Sequence, residues 1–270
     1  MTQPLKKTIQ ISLSILFLLF NTSIAQESVT LQLKWKHQAQ FAGFYLAIED
    51  RHYHDNGLAV SLFPRTPDIS NQQMAEALSS GKTDFAIMGG DRFLQLRAKG
   101  YPIVAISVLL PKSPYVYISK KETGIKKPHD LIGKKVMIPP DGFIPHQTLL
   151  RKLGIDETAV ERVPYVRGGN HFQNNTIDSL MAYRTGSAMR MESQGFDLNF
   201  IWVDDYGIRF YADTIVTSEA MISDKPDLVE RFLKASLDGW RKAIENPDMA
   251  LSVVLKYDAS LNRFEQERVL

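Results

Sequence analysis

The sequence contains no cysteine among its 270 residues. This absence excludes disulfide bonds, thiolate metal sites, a cysteine nucleophile and a lipidated N-terminal cysteine. Beyond residue 25 there is also no apolar run long enough for a transmembrane helix. Charge of one sign is not in excess either. Without Lys6 and Lys7, the remaining 30 Lys and Arg balance 30 Asp and Glu, so nothing indicates binding to nucleic acid or to an anionic membrane surface.

The N-terminus has the pattern of a secretory signal peptide. Lys6 and Lys7 precede the apolar run 11–20, and Ser23 and Ala25 are small residues at the positions that a signal peptidase reads. The alternative is a membrane anchor, for which the run is short. We therefore predict a signal peptide over residues 1–25 and a periplasmic location. The mature chain of about 245 residues can bury one large core or two smaller lobes.

Short apolar segments alternate with helical patterns, which is typical of an α/β fold with mostly parallel sheets. The predicted strands are 29–33, 58–63, 84–88, 103–108, 115–119, 135–138, 160–166, 179–183, 199–203 and 213–218. The predicted helices are 41–50, 71–78 after an N-cap at Ser70, 91–99, 146–153, 226–245 and one that follows Asn246-Pro247. In helix 226–245, the apolar residues at helical spacing are Leu228, Phe232, Leu237, Trp240 and Ile244.

The order of these segments suggests two lobes. The first lobe would comprise residues 28–118, the second 119–213, and the chain would return to the first lobe over 214–270. Because the chain crosses between the lobes twice, we expect a hinge and a cleft.

Motifs for catalysis or metal binding are scarce. The patterns G-x-S-x-G, H-E-x-x-H and G-x-x-x-x-G-K-[ST] do not occur. His52 and His54 could ligate a metal, but no clear third ligand accompanies them, and two histidines in a polar turn are more often solvated. Gly89 and Gly90 lead from a strand into a helix at Asp91. Their backbone N–H groups could meet a ligand, or the pair could simply form a tight turn.

Two stretches combine aromatic rings with amides or carboxylates near strand ends. They are LKWKHQAQFAGFY at 33–45 and DDYGIRFYADT at 204–214. Rings supply flat contact area, and carboxylates accept hydrogen bonds from amines or ring N–H groups. Such rings also serve as core or hinge packing. Since ligands of open α/β sheets bind beyond the carboxyl ends of strands, the two stretches favour a cleft that clamps a flat, nitrogen-bearing small molecule.

Three segments resemble periplasmic binding proteins for thiamine pyrimidine precursors. They are LQLKWKHQAQFAGFYLAIEDRHYHDNGLAV, DYGIRFYADTIVTSE and FLKASLDGWRKAIENPDMAL. This family includes eukaryotic enzymes that make the thiamine pyrimidine, and it borders on the nitrate, taurine and alkanesulfonate binding proteins. The resemblance spans nearly all of the mature chain. It implies an α/β fold of the periplasmic binding protein type II, whose two lobes close on a ligand by hinge motion.

The resemblance also implies a ligand site at the cleft. Its residues would be Trp35, Gln38, Gln40, Tyr45, Gly89, Gly90 and Asp91 from the first lobe, Ser113 near the hinge, and Tyr183, Tyr206, Tyr211 and Asp213 from the second lobe and the crossing strand. The rings would sandwich a heterocycle, and the amides would read its edge. No catalytic residue, metal or cofactor is expected.

The chain departs from the family pattern in two places. Relatives commonly carry Thr-Asn-Glu-Pro where this sequence has TGSA at 185–188, so a glutamate that could pair with a ligand amine is missing. His171 or Asn170, in the segment GGNHFQNN, could supply replacement contacts. Complete members of the family run on by several helices after the position of Leu270, so we expect a fragment with truncated C-terminal helices.

Three functions follow from the resemblance. The first is a solute-binding domain that delivers its ligand to an ABC permease or reports it to a histidine kinase or diguanylate cyclase module. The second is a thiamine pyrimidine synthase that uses pyridoxal phosphate and iron and sacrifices a histidine. The eukaryotic enzymes carry a cysteine-rich motif, which a cysteine-free chain lacks. The third is an interaction domain whose cleft has lost its ligand.

Overall fold

The computed structural model describes residues 26–166 and 170–270. The predicted signal peptide lies outside the described residues, as do Gly168 and Gly169 of the segment GGNHFQNN. None of the helices in the described part combines the length and the apolar character that crossing a membrane requires.

Five strands form the sheet of the first lobe, in the order β2-β1-β3-β10-β4. They are β1 (Glu27–Gln32), β2 (Leu58–Phe63), β3 (Phe85–Met88), β4 (Ile103–Leu110) and β10 (Asp213–Ser218). Strand β1 pairs in parallel with β2 and β3, whereas β10 runs antiparallel to both β3 and β4.

The second lobe is built on another five-stranded sheet, in the order β7-β6-β8-β5-β9. Its strands are β5 (Tyr115–Lys120), β6 (Lys135–Met137), β7 (Glu161–Val163), β8 (Ser179–Tyr183) and β9 (Leu198–Trp202). Here β6 is parallel to β7 and β8, and β5 is antiparallel to β8 and β9. Each sheet therefore has four strands that run in one direction and a single reversed strand, β10 in the first sheet and β5 in the second. The sheets are mostly parallel in strand direction, as expected, and the reversed strand makes each of them mixed. The antiparallel strands β5 and β10 enter directly from the opposite lobe, without a helical crossover that would return the chain in parallel.

Helices cover the sheets. They are α1 (Ala42–Glu49), α2 (His52–Asp55), α3 (Asn71–Ser79), α4 (Gly90–Ala98), α5 (Phe143–Lys152), α6 (Met189–Ser193), α7 (Glu219–Asp224), α8 (Pro226–Glu245), α9 (Pro247–Tyr257) and α10 (Arg263–Glu267). The N-cap predicted at Ser70 forms a capping box: Ser70 Oγ accepts from the Gln73 N–H at 3.1 Å, and the Ser70 N–H donates to Gln73 Oε1 at 2.8 Å.

The chain crosses from the first sheet to the second at 111–114 and returns at 203–212. A boundary after residue 118 falls inside β5, which belongs to the second sheet. The two crossings run side by side, because the Ala212 N–H donates to Leu110 O at 2.9 Å. The residues of these two connections are where a change in the relative position of the lobes would be absorbed, because hinges consist of a few loop or element-terminal residues.

Helix α8 has the predicted bounds, but its buried face differs from the prediction. Leu237 is 41% exposed and Ile244 is 77% exposed, so neither belongs to the core. The buried face instead carries Leu228, Phe232, Ala235, Ser236, Gly239 and Ala243. Small residues occupy the contact because α8 crosses α1 very closely: a β-carbon at Gly239 would overlap the carbonyl oxygen of Gly43. Close backbone approach, which hydrophobicity does not reveal, therefore selects this face.

The core of the second lobe contains a buried histidine. His146 on α5 is 1% exposed, and its Nδ1 lies 2.7 Å from the hydroxyl of Tyr117 on β5. Burial lowers the pKa of His146 to about 4, and Arg162 acts in the same direction against the opposing field of Glu157. The folded protein therefore holds this ring neutral well below the usual histidine range.

We expect His146 to make the second lobe sensitive to acid. Between pH 6.5 and about 4 the unfolded chain binds a proton that the folded chain does not, so stability falls with pH there and is unaffected by this group above pH 6.5. At about 1.4 kcal/mol for each pH unit, the loss reaches about 2–3 kcal/mol. Urea unfolding of wild type and His146→Gln at pH 7.5 and 4.5 measures it. Parallel loss of stability in both proteins would contradict the assignment.

Candidate functional site

Polar side chains from both lobes meet between the two sheets. Lys34 lies just beyond β1, Asp91 just beyond β3, and Asp141 in the turn that follows β6. Tyr183 is the last residue of β8, and Asp213 opens β10. All of these residues except Asp213 therefore lie at the carboxyl end of a strand. Open α/β sheets bind their ligands at these strand ends.

Lys34 is at the centre of this cluster. Its Nζ donates to the hydroxyl of Tyr183 at 2.9 Å and to the carbonyl oxygen of Ala212 at 2.7 Å, and it pairs with the carboxylate of Asp213. The Lys34 side chain is 13% exposed and that of Asp213 is 3% exposed. Burial by itself would lower the pKa of Lys34. The Asp213 carboxylate and the Tyr183 hydroxyl outweigh burial and hold the pKa above its ordinary value, so the amine stays charged.

Two glutamines extend the cluster through side-chain amides. Gln40 Nε2 donates to Asp213 Oδ1 at 3.0 Å and to Oδ2 at 2.7 Å, while Gln38 Nε2 donates to Gln40 Oε1. The predicted site residues Gln38, Gln40, Tyr183 and Asp213 are thus brought together, and Lys34 joins them. None of the buried side-chain nitrogen and oxygen atoms of these five residues lacks a hydrogen-bond partner, so this half of the cluster is internally satisfied.

The other half of the cluster consists of Asp91, Arg92 and Asp141. Arg92 Nε lies 3.7 Å from Asp91 Oδ2 and 3.6 Å from Asp141 Oδ1, and Arg92 Nη2 donates to the carbonyl oxygen of Pro140. Asn71 Nδ2 donates to the same Asp141 oxygen at 3.3 Å. Burial raises the pKa of Asp91, against the opposing effect of Arg92. Residues of the first lobe therefore hold the 140–141 turn of the second.

Two tyrosines of the second lobe pack beside these charges. The rings of Tyr115 and Tyr183 meet edge to face with centroids 4.6 Å apart. Burial raises the pKa of both hydroxyls. Ser113 is buried at the first crossing, where its Oγ accepts from the Tyr115 N–H at 3.4 Å. The predicted proximity of Ser113 to the hinge agrees with this position.

Tyr45 does not face the cleft in this structure. Its ring is fully buried, stacks on Tyr257 of α9 with centroids 4.3 Å apart, and its hydroxyl lies 3.0 Å from His37 Nδ1. The interpretation of Tyr45 as a ligand-facing ring is corrected by this placement, because α9 covers that side of α1. Trp35 is partly buried against the core of the first lobe, and its carbonyl oxygen accepts from the Arg65 N–H at 3.0 Å.

The glycine pair after β3 accommodates the hinge. The Gly90 N–H donates to Tyr211 O at 2.8 Å, so it is not available to a ligand as the sequence suggested. A β-carbon at Gly90 would lie 3.1 Å from both Cβ and O of Tyr211, which explains a residue without a side chain there. Tyr211 itself is 55% exposed.

Tyr206 packs at the edge of the second-lobe core, with Ile208 among its neighbours in that cluster. None of the interactions described above links it to Lys34 or Asp91, so its role in the site stays a prediction. The histidines at 52 and 54 lie on α2, where His54 contacts Arg51 and Asp55. The described residues contain no group of three or more His, Cys, Asp or Glu placed to hold a metal ion.

The segment that lacks the family glutamate forms an irregular turn over Arg184–Ala188, in which the backbone of Gly186 is not helical. Arg184 Nη1 pairs with Glu192 at 2.9 Å, and Arg268 of the C-terminal segment reaches the same carboxylate at 3.2 Å. Glu192 is therefore engaged by two cations. His171 Nδ1 lies 3.1 Å from Thr176 Oγ1 in its own loop. Replacement ligand contacts from His171 or Asn170 stay a prediction.

Sequence reasoning missed four members of the cluster: Lys34, Arg92, Tyr115 and Asp141. Two of them could have been found from the sequence. Arg92 is a basic residue next to the predicted carboxylate Asp91, and Lys34 is a basic residue next to Trp35 at the end of a predicted strand. Asp141 gave no such signal, because it reaches the cluster only through the relative position of the two lobes.

The comparisons with known proteins concern nearly the whole described chain. A family profile described as NMT1/THI5 like matches residues 38–250. A riboflavin-binding protein, RibY, from Chloroflexus aurantiacus is 24% identical over 88% of this chain and 68% of its own. A formylaminopyrimidine-binding protein from Halalkalibacterium halodurans is 26% identical over 92% and 78%. A 4-amino-5-hydroxymethyl-2-methylpyrimidine phosphate synthase from Legionella pneumophila is 23% identical over 86% and 74%.

Solved structures share the fold. The periplasmic aliphatic sulphonate binding protein SsuA from Escherichia coli superposes with a TM-score of 0.71 at 17% identity, over 88% of this chain and 81% of that one. The architecture of two α/β lobes is therefore that of the periplasmic binding proteins, as the sequence resemblance implied.

Proposed function

Because this chain belongs to the NMT1/THI5-like family, we propose that it is a non-catalytic ligand-binding protein whose two lobes close on a small nitrogen heterocycle. It would act in the periplasm. The closed, ligand-bound form would either deliver the ligand to an ABC permease or activate a histidine kinase or diguanylate cyclase module.

The polar cluster between the lobes carries this proposal. Lys34 of the first lobe donates to Tyr183 of the second, and Arg92 of the first donates to Pro140 of the second. A ligand held here touches both lobes at once, so its binding free energy depends on how far they have closed. That dependence is what makes a hinged cleft a ligand-driven switch.

The chemistry of the cluster favours a nitrogen heterocycle. Tyr115 and Tyr183 place aromatic rings beside the charged groups, and the carboxylate of Asp91 can accept a hydrogen bond from an amine or ring N–H group. Two of the relatives carry names that specify nitrogen heterocycles, riboflavin and formylaminopyrimidine. A thiamine pyrimidine precursor or a related ring is the ligand class we propose.

A thermal-shift screen tests the proposal. The purified protein is heated with aminopyrimidines, thiamine, riboflavin, nitrate and alkanesulfonates in parallel. A ligand at one hundred times its Kd stabilises the folded state by about 2.7 kcal/mol, which is readily detected. We expect a shift with an aminopyrimidine or a flavin. A shift with nitrate or a sulfonate alone would contradict the ligand class, and no shift with any compound would favour an interaction domain with a non-functional cleft.

Trp35→Ala should weaken the binding of the heterocycle identified by that screen. Stacking of a base on an aromatic side chain is worth about 1–3 kcal/mol, so we expect an affinity lower by about tenfold to a hundredfold. Isothermal titration calorimetry measures the change. Trp202→Ala is the matched control, since Trp202 is also partly buried but lies on β9, packed against another core cluster. Unchanged affinity, or a protein that no longer folds, would assign Trp35 to the core.

The synthase alternative rests on the Legionella relative, whose name specifies a synthase. Pyridoxal phosphate forms a Schiff base with a neutral lysine amine. The lysine of this cluster, Lys34, is kept charged by Asp213 and donates to two further oxygens, so the residues present do not fit that cofactor. His37 and His146 are engaged with the buried Tyr45 and Tyr117. Pyridoxal phosphate absorbance in the purified protein would revive the alternative.

A further inference from the structure

Two buried polar atoms in the cluster have no hydrogen-bond partner among the described residues. They are Asp91 Oδ2 and Arg92 Nε. The Asp91 side chain is 9% exposed, and the two atoms lie 3.7 Å apart, too far to hydrogen-bond to each other. Buried polar groups are nearly always paired in proteins, so an unpaired acceptor beside an unpaired donor needs an explanation.

The other two nitrogens of the Arg92 guanidinium each have an acceptor. Nη1 donates to Gln95 Oε1 at 2.8 Å on the same helix, and Nη2 donates to Pro140 O in the second lobe. The nearest approach of Nε to Asp141 is 3.6 Å, beyond hydrogen-bond distance. Arg92 is thus anchored on one side to its own helix and on the other to the opposite lobe, and its Nε lies within 3.7 Å of both carboxylates.

An acceptor next to a donor matches one type of ligand edge. A heterocycle with an exocyclic amine beside a ring nitrogen presents an N–H donor next to a lone pair. The amine would donate to Asp91 Oδ2, and Arg92 Nε would donate to the ring nitrogen. Lys34, Gln40 and Asp213 do not compete for this edge, because they satisfy one another.

We propose that Asp91 and Arg92 together read the amine-bearing edge of the ligand, and that Arg92 couples this contact to closure of the lobes. This inference rests on the proposed function and deepens it. One guanidinium then holds the ligand through Nε and the second lobe through Nη2. Loss of the ligand contact leaves Arg92 with an unpaired buried donor, which weakens the arrangement that keeps the lobes together.

The surrounding residues position the second-lobe end of this connection. Asp141 accepts from Asn71 Nδ2 at 3.3 Å, and Asn71 Oδ1 in turn accepts from Arg65 Nη1 at 3.1 Å. The 140–141 turn is therefore held from two sides by the first lobe. Asp141→Asn should disturb closure while leaving the ligand edge formed by Asp91 and Arg92 Nε in place.

The test compares two pyrimidine probes that differ only in the exocyclic amine. They are 4-amino-5-hydroxymethyl-2-methylpyrimidine and 5-hydroxymethyl-2-methylpyrimidine, which lacks the amine. Titration calorimetry gives both Kd values. Closure is measured as the distance between labels on Lys82→Cys and Lys126→Cys, one exposed site in each lobe, and the cysteine-free chain makes this labelling specific.

We expect wild type to prefer the amine probe by at least tenfold, and Asp91→Asn to lose that preference. Arg92→Lys should lose the preference and also close incompletely at saturating probe. Asp141→Asn should keep the preference but close incompletely. Arg97→Lys is the matched control, because Arg97 lies on the same helix and pairs with Glu219 on the surface, and it should behave as wild type.

The outcomes separate the two levels of the proposal. If wild type binds neither probe nor any other heterocycle, the proposed function fails and this inference fails with it. If wild type prefers the amine probe and Asp91→Asn and Arg92→Lys retain that preference, the reading role alone is overturned. If Arg92→Lys loses the preference but closes as completely as Arg97→Lys, the coupling is overturned. A merely structural role for Asp91 would lower the affinity for both probes equally.

Discussion

Replacing Lys34 with methionine should lower the free energy of unfolding by about 3–5 kcal/mol, the typical cost of removing one partner from a buried ion pair. The Asp213 carboxylate would stay buried with only the Gln40 amide to offset its charge. The Tyr183 hydroxyl and the Ala212 carbonyl oxygen would lose a charged donor as well. Methionine has a similar length, so lost packing adds little to the effect.

Chemical denaturation of five proteins measures this effect and its origin: wild type, Lys34→Met, Asp213→Leu, the double variant and the control Lys36→Met. Lys36→Met is the matched control, because Lys36 is an exposed lysine two residues along the chain and should change stability by less than about 0.5 kcal/mol. In the double variant Lys34→Met/Asp213→Leu the unpaired carboxylate is removed, so part of the loss should be recovered. Additive effects of the two single substitutions would show that the pair is not coupled and would contradict this account.

Phe232→Ala should destabilise the first lobe by a similar amount, about 3–5 kcal/mol. The Phe232 ring on α8 is fully buried, stacks on Phe85 of β3 with centroids 3.8 Å apart, and lies over Tyr53 of α2 at 5.6 Å. Its removal leaves a cavity between a helix and the sheet. The neighbouring backbones cannot close this cavity, because the α1–α8 contact at Gly43 and Gly239 already fixes the helix separation.

Urea unfolding of Phe232→Ala is read against Leu237→Ala. Leu237 lies on the same helix but is 41% exposed, so its truncation should cost less than about 1 kcal/mol. A loss in Leu237→Ala as large as in Phe232→Ala would mean that the predicted hydrophobic pattern, and not the face seen in the structure, describes the packing of α8.

Most of the secondary structure follows from local sequence signals. The N-cap at Ser70, the break at Asn246-Pro247 and the apolar runs of β2 and β3 define their elements without reference to the rest of the chain. The mixed direction of the sheets does not follow from such signals. Strand direction depends on how the chain crosses between the lobes, and the same residues of β10 would look alike in either direction.

Some residues of the candidate site could also be predicted from the sequence, and others could not. Gln40, Tyr183 and Asp213 could be placed near one another from strand ends and from the family resemblance. Tyr45 was misplaced because helix α1 is apolar on almost every side, and its sequence does not say which side α9 covers and which side would face a cleft. Arg92 and Asp141 meet only through packing between lobes that are separated in sequence, so no local pattern identifies their contact.

Strands β3 and β4 do not pair with each other, since β10 lies between them and hydrogen-bonds to both. During synthesis the sheet of the first lobe stays in two pieces until residues 213–218 are available, about 100 residues after β4 ends. The strands of the second lobe all lie between 115 and 202, so that lobe can fold first as a unit. Until β10 inserts, the facing edges of β3 and β4 are open to wrong partners. Strand β10, which begins at Asp213, therefore has a second role. When it pairs with β3 and β4, it covers the two open strand edges that are most prone to wrong pairing.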